Sequence, residues 1–167
     1  MLIVLTYPQP ITDEHDIIHQ LFEQGLETLH IYKPNASDEE IKTFINQIAP
    51  EYQKYCVIHE KYKKFHSLAE LHEYKEAFQY AFLSPIFDSI SKIGYKSPYQ
   101  LDEVKRTLHT TKHKIIALGG IDENKIDIVK DVGFYGIAVL GAIWQHQNPV
   151  EKFKRIQVKW TENSNTY

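Results

Sequence analysis

The 167-residue chain is 43% hydrophobic and 25% charged, with a formal net charge of −3. That length suits one domain with a core of its own, and the weak acidity gives no general attraction to nucleic acid or an anionic membrane. Cys56 is the single cysteine, so no internal disulfide forms, and no apolar run reaches a membrane span.

Leu2 to Thr6 predicts a strand, and Met1 to Leu5 is too short and lacks the basic flank of a secretion signal. Asp13 is expected to cap a helix through about Gln24, with Ile17, Ile18, Leu21 and Phe22 at helical spacing and Gly25 ending it. Thr28 to Tyr32 is the next strand. Ser37 and Glu40 form a capping-box pattern, ahead of a buried stripe of Ile41, Phe44, Ile45 and Ile48. Tyr55 to His59 is the third strand, in which Cys56 reads as a core thiol. Ser67 and Glu70 repeat the capping pattern for a helix from Leu68 towards Lys75. An Ala81 strand, a helix over Tyr99 to Leu108, an Ile115 strand, a short helix after Asp122, an Ile137 strand and a helix from Pro149 follow. One domain over residues 1–160 and a tail over 161–167 are expected.

Alternating strands and helices imply an α/β fold with a parallel sheet. Three strand ends carry the chemistry. Tyr80-Ala81-Phe82-Leu83-Ser84-Pro85-Ile86-Phe87 runs into a loop with Ser89, Ser91, Lys92 and Gly94. Ile115 to Leu118 ends in Gly119-Gly120, and Gly136 to Leu140 ends in Gly141-Ala142. Hydroxyls, an ammonium and closely approaching backbone amides suit an anion. Three such ends in succession predict a phosphate cradle at the C-terminal face of a barrel. The lysines around Lys61 to Lys64 and Lys112 to Lys114 read as solvated faces, because no aromatic interleaving accompanies them.

These segments resemble the thiamin phosphate synthase and thiazole tautomerase superfamily. Its members carry a Pro-Ile/Val-Phe strand end, a hydroxyl-x-hydroxyl-Lys-x-Gly loop, an Ala-Ile/Leu-Gly-Gly-Ile strand and a Gly-Ile/Val-Ala-Val strand, in this order. The resemblance runs from Leu2 to about Phe153 and is strong from His66 onward. It implies a TIM-barrel-like (β/α) fold, here incomplete. Family members place two further βα units between the third strand and the His66-Ser67 pair, where this chain has only Lys61 to Phe65. Exposed sheet edges then invite pairing, and a homodimer is expected.

The resemblance also assigns roles. A phosphorylated thiazole is the implied substrate, held by Ser89, Ser91, Lys92, Gly94, Gly119, Gly120, Leu140 and Gly141. A synthase would join it to a pyrimidine diphosphate with Mg2+. The family's Gln-x-Arg-x-Lys on the second strand reads here as His30, Tyr32 and Pro34, with Lys33 adjacent. Its Asn-Asp pair reads as His59-Glu60, so Glu60 is the sole metal candidate. His66 matches the general acid/base of the tautomerases, which need no metal, and His has the pKa for that task. His30 and Lys92 are the other catalytic candidates, and His30, Lys33 and His59 are candidate pocket residues. Three readings follow: a synthase of thiamin biosynthesis, a metal-independent thiazole phosphate tautomerase, or a non-catalytic barrel that binds the thiazole phosphate. A cytoplasmic location is expected.

Overall fold

The computed structural model describes residues 1–90, 94 and 96–162. Seven strands form one parallel sheet: β1 (Leu2–Leu5), β2 (Leu29–Ile31), β3 (Cys56–Ile58), β4 (Lys64–Phe65), β5 (Ala81–Leu83), β6 (Ile115–Leu118) and β7 (Gly136–Val139). Their order across the sheet is β3-β2-β1-β7-β6-β5-β4. Helices α1 (Glu14–Glu23), α2 (Asp38–Asn46), α3 (Pro50–Gln53), α4 (Leu68–Glu73), α5 (Leu101–Thr110), α6 (Ile126–Val132), α7 (Gly141–Trp144) and α8 (Pro149–Thr161) complete the described chain. This is the expected barrel-like α/β fold with strands missing. Among the described residues no ladder joins β3 to β4, so the barrel stays open there.

Strand alternation sorts the core into two layers. Val4, Leu29, Ile31, Phe65, Leu83, Ile115 and Ile137 face the helices. Ile3, Leu5, Phe82, Ile116 and Ala138 face the concave interior with Tyr80. Both faces are buried, which is why the strands read as unbroken apolar runs. Phe65, Phe82 and Phe153 are fully buried, and each contributes on the order of 2–3 kcal/mol of apolar transfer.

The caps differ from one another. Ser37 and Glu40 close a complete capping box, with the Glu40 amide donating to Ser37 Oγ at 3.2 Å and the Ser37 amide to Glu40 Oε2 at 2.7 Å. Ser67 accepts from the Glu70 amide at 3.1 Å, but Glu70 accepts from the His66 amide and from Lys63 Nζ instead of from Ser67. Asp13 makes no side-chain cap and sits in the left-handed region at φ 60. Its neighbour Glu14 turns inward and binds Lys33, so the expected start signal is replaced by a buried ion pair. Among the described residues no helix is long and apolar enough to cross a membrane.

Candidate active site

A cavity of about 260 Å³ opens at the C-terminal ends of the strands. Its two walls are built differently. One wall is the set of turns after β5, β6 and β7: Ser84, Ser89, Gly119, Gly120, Leu140 and Gly141 all line it. The Gly119-Gly120 turn has a packing cause. Both residues have positive φ, at 97 and 65. A Cβ on Gly119 would lie 2.7 Å from Pro85 Cα, and one on Gly120 would strike the Asp88 carbonyl. Glycine therefore lets the β6 turn nest against the 85–88 segment, which brings two backbone turns to one cavity wall. The β7 turn is anchored from behind, where Trp144 donates its indole N–H to the Leu5 carbonyl at 2.7 Å.

The opposite wall holds Tyr32, His59, Lys64 and His66. His66 is exposed, and its Nδ1 lies 3.3 Å from the Ser84 carbonyl oxygen. A carbonyl only accepts, so this contact places the proton of a neutral ring on Nδ1 and leaves Nε2 with a lone pair. The Glu70 carboxylate fixes the His66 backbone amide at 3.1 Å. The half-capping box at Ser67 thus positions this histidine.

Lys64 is the site residue that the sequence reading missed, having been assigned to a solvated run. It lines the cavity and has no ion-pair partner among the described residues. Alternation explains the placement: Phe65 packs outward against the helices, so Lys64 points the other way. Its neighbour Lys63 is held outside by Glu70 at 3.1 Å.

His30 lies behind His59 and is fully buried, without reaching the cavity wall. His30 and His59 meet Nδ1 to Nδ1 at 3.1 Å, and His30 Nε2 meets the Tyr80 hydroxyl at 2.7 Å. Tyr62 stacks on Tyr80 with ring centroids 4.7 Å apart, and Phe82 packs edge-on against both histidines. Burial, reinforced by the nearby Lys64 charge, pushes both histidines down to about 3. Both rings are neutral at ordinary pH.

An expected pocket residue, Lys33, and the expected metal ligand, Glu60, lie elsewhere. Lys33 donates to both Glu14 carboxylate oxygens at 2.8 Å and to the Tyr7 carbonyl at 2.7 Å. Its charge is spent on a buried partner on the outer side of β2, away from the cavity lining. Glu60 is exposed in the short 3₁₀ turn His59–Lys61 and also lies outside the cavity lining. Gly94 is exposed at φ 81 and is not part of the wall, while Ser91 and Lys92 lie outside the described residues. Cys56 is half-buried, its thiol donates to the Tyr52 carbonyl at 3.6 Å, and burial raises it to about 11, which suits an inert thiol.

Magnesium requires an octahedral shell of oxygens that usually includes carboxylates. Among the described residues the cavity wall has no Asp or Glu, and no three His, Cys, Asp or Glu side chains gather as a metal site. The described residues do not fit a bound Mg2+, and Glu60, the expected candidate, is not part of the wall.

Comparison with known proteins bears on this geometry. Residues 64–143 match the family model described as thiamine monophosphate synthase. The thiamine-phosphate synthase of Vibrio parahaemolyticus is 35% identical over 72 residues, covering 43% of this chain and 35% of that protein. That of Limosilactobacillus reuteri is 20% identical over 151 residues, covering 90% of this chain and 65% of its own length. The aligned part of the chain therefore spans about a third of the Vibrio protein and just under two thirds of the Limosilactobacillus one. The structure of thiamine phosphate pyrophosphorylase from Bacteroides thetaiotaomicron superposes with a TM-score of 0.78 at 28% identity, covering 95% of this chain and 96% of that one. The pyrophosphorylase from Pyrococcus furiosus, at 16% identity and a TM-score of 0.73, shares the fold.

Proposed function

Because this chain belongs to the thiamin phosphate synthase and thiazole tautomerase superfamily, we propose that the cavity binds a thiazole phosphate and that His66 moves a proton on its ring. One observation carries the reading: His66 shares a cavity with the glycine turns and Lys64, and no carboxylate is present on the described wall. The phosphate sits against the Gly119-Gly120 and Leu140-Gly141 turns and Ser89, where amides and a hydroxyl donate. The resemblance adds Ser91 and Lys92 to this set. Lys64 contributes a positive field that suits an anionic ligand.

The His66 chemistry follows from its tautomer. With Nδ1–H held by the Ser84 carbonyl, Nε2 takes a proton from one ring atom of the ligand and becomes part of an imidazolium. The same nitrogen returns a proton to another ring atom, so the enzyme ends as it began. The test is proton exchange on thiazole phosphate followed by NMR in D2O with EDTA. Exchange is expected in the native chain, with a loss of about 10²-fold or more in His66→Ala. Exchange that persists in His66→Ala while binding is intact removes His66 from the mechanism.

The names of the relatives favour a second reading, in which thiazole phosphate is condensed with a pyrimidine diphosphate to give thiamin phosphate and pyrophosphate. That reaction requires Mg2+, for which the ligands would have to come from the substrates or from outside the described residues. Robust Mg2+-dependent formation of thiamin phosphate by the purified chain establishes this second reading. In either case the open edges of β3 and β4 favour self-association, and a compact monomer in sedimentation at tens of micromolar, as an order-of-magnitude range, counts against a dimer.

A further inference from the structure

We propose that Nε2 of His59 is a second polar contact for the ring of the bound ligand, and that the hydroxyl of Tyr80, acting through His30, sets whether that nitrogen donates or accepts. The inference deepens the thiazole phosphate reading and rests on it. His59 lines the cavity and is 3% exposed, while His30 behind it is 0% exposed. Among the described residues, no buried side-chain nitrogen or oxygen lacks a partner, Glu123 Oε2 being held by Lys152 Nζ at 2.8 Å. His59 Nδ1 is engaged with His30, and among the described residues no hydrogen-bond partner reaches its Nε2. That nitrogen therefore meets open space, and the space beside it is the cavity.

The chain of contacts behind His59 has two self-consistent arrangements. A contact between two Nδ1 atoms at 3.1 Å holds a single hydrogen, so one ring donates and the other accepts. In the first arrangement Tyr80 O–H donates to His30 Nε2, His30 Nδ1–H donates to His59 Nδ1, and the His59 proton sits on Nε2. That nitrogen then donates into the cavity. In the second, His30 Nε2–H donates to the Tyr80 oxygen, His59 Nδ1–H donates to His30 Nδ1, and His59 Nε2 accepts from the cavity. Passing from one to the other moves each ring's proton to its other nitrogen and rotates the Tyr80 hydroxyl. No net proton reaches the ligand.

The surroundings favour this polarity switch over a charge switch. Tyr62, Tyr80 and Phe82 enclose His30, with ring centroids 4.7 to 5.8 Å from it, and Tyr32 and Phe82 flank His59. An imidazolium there would be desolvated and face Lys64. A neutral group that can donate or accept suits a flat heteroaromatic ring whose nitrogen carries a proton in one tautomer and a lone pair in the other. Tyr80 is a positioning residue in this scheme, because it touches His30 and not the ligand.

The test uses the full chain labelled with ¹⁵N-histidine and read by NMR at pH 7. The free protein should show two neutral rings protonated on opposite nitrogens, one on Nδ1 and the other on Nε2. A charged ring, or both rings protonated on the same nitrogen, overturns the relay. Thiazole phosphate should move the His59 Nε2 signal, and inorganic phosphate should leave it in place. Thiazole phosphate that binds without moving that signal overturns the contact but leaves the functional reading standing. If thiazole phosphate does not bind at all, the functional reading falls and the contact with it. Tyr80→Phe should blend the two tautomers of each ring and weaken thiazole phosphate about five-fold, the scale of one hydrogen bond, with inorganic phosphate unaffected. Unchanged tautomers in folded Tyr80→Phe remove Tyr80 from the scheme, and the native spectra decide the relay if that variant does not fold.

Discussion

At the ends of β5, β6 and β7 the cavity wall is mostly backbone, whereas beside β3 and β4 it is side chain. The first region relies on glycine turns that approach one another too closely for a Cβ. The second lies where the barrel is unclosed, and Tyr62, Tyr80, Phe82 and two histidines fill the interior there. The difference teaches how a shortened barrel keeps a pocket. Backbone donors survive because their geometry is set by strand-to-helix turns within an intact half of the sheet. Where strands are lost, large rings occupy the volume and bring their own polar atoms with them.

The largest effect should come from disturbing the backbone wall. Gly120→Ala forces an L residue into φ 65 and drives a methyl into the Asp88 carbonyl. Left-handed strain and overpacking together should cost about 3 kcal/mol or more in urea unfolding. A loss below about 0.5 kcal/mol would mean that the 85–88 segment yields easily, and the contrast between a rigid wall and a filled one would fail.

The filled region should respond next. Tyr62→Ala removes the ring that stacks on Tyr80 at 4.7 Å and lies 4.7 Å from His30. Because Tyr62 is half-buried, the expected loss is about 2 kcal/mol, below that of a full core truncation. Tyr62→Phe should recover most of it. If Tyr62→Ala is neutral, the interior beside the gap is not what stabilises the open barrel.

The same region should give the protein an acid-sensitive stability. Folding holds His30 and His59 near 3, against an unfolded value of about 6.5. Between those limits the unfolded chain binds more protons than the folded one, so stability is full above about pH 6.5 and falls as pH drops towards 3. Over the first unit below 6.5 the loss should be about 1 kcal/mol for each histidine, or about 2 kcal/mol for the pair. Glu14 opposes it at lower pH, since burial raises its carboxyl and favours the folded state as acid is added. The pH dependence of Tm should flatten in His30→Gln/His59→Gln. An unchanged slope in that double variant would place the titrating groups elsewhere.

Much of this contrast was legible before any coordinates. The strand runs, the Ser37 capping box and the Gly119-Gly120 and Gly141 turns are local signals, and local physics set their outcome. The shortage of strands was visible as missing length between Glu60 and His66, and β4 emerged there as a two-residue remnant. What stayed hidden depended on partners distant in sequence. Lys33 looked like a pocket cation until Glu14, 19 residues earlier, was seen to hold it. Asp13 looked like a cap, yet the pairing of Glu14 with Lys33 replaces that signal. Lys64 looked like one lysine in a solvated run, although the burial of Phe65 beside it was a usable clue to its inward direction. The His30–His59–Tyr80 chain joins residues 29 and 50 positions apart, a juxtaposition that no local pattern encodes.

The smallest effect should come from the Lys64 charge on the side-chain wall. Lys64 lines the cavity without an ion-pair partner among the described residues, so its field is available to an anionic ligand. It is partly exposed, and solvent screens it. Lys64→Ala should therefore weaken thiazole phosphate by about 1 kcal/mol, or about five-fold, in calorimetry at low salt. Raising the ionic strength should weaken the native protein and narrow its advantage over the variant, because the Debye length shrinks to about 3 Å at 1 M salt. Lys33→Ala provides the contrast: its ammonium is held by Glu14 on the outer side of β2, so thiazole phosphate affinity should not change. Equal losses in the two variants would mean that the ligand feels only overall charge. No loss in Lys64→Ala, with salt dependence intact, would point to a cation outside the described residues, with Lys92 the candidate, and leave the backbone wall as the sole determinant on the described residues.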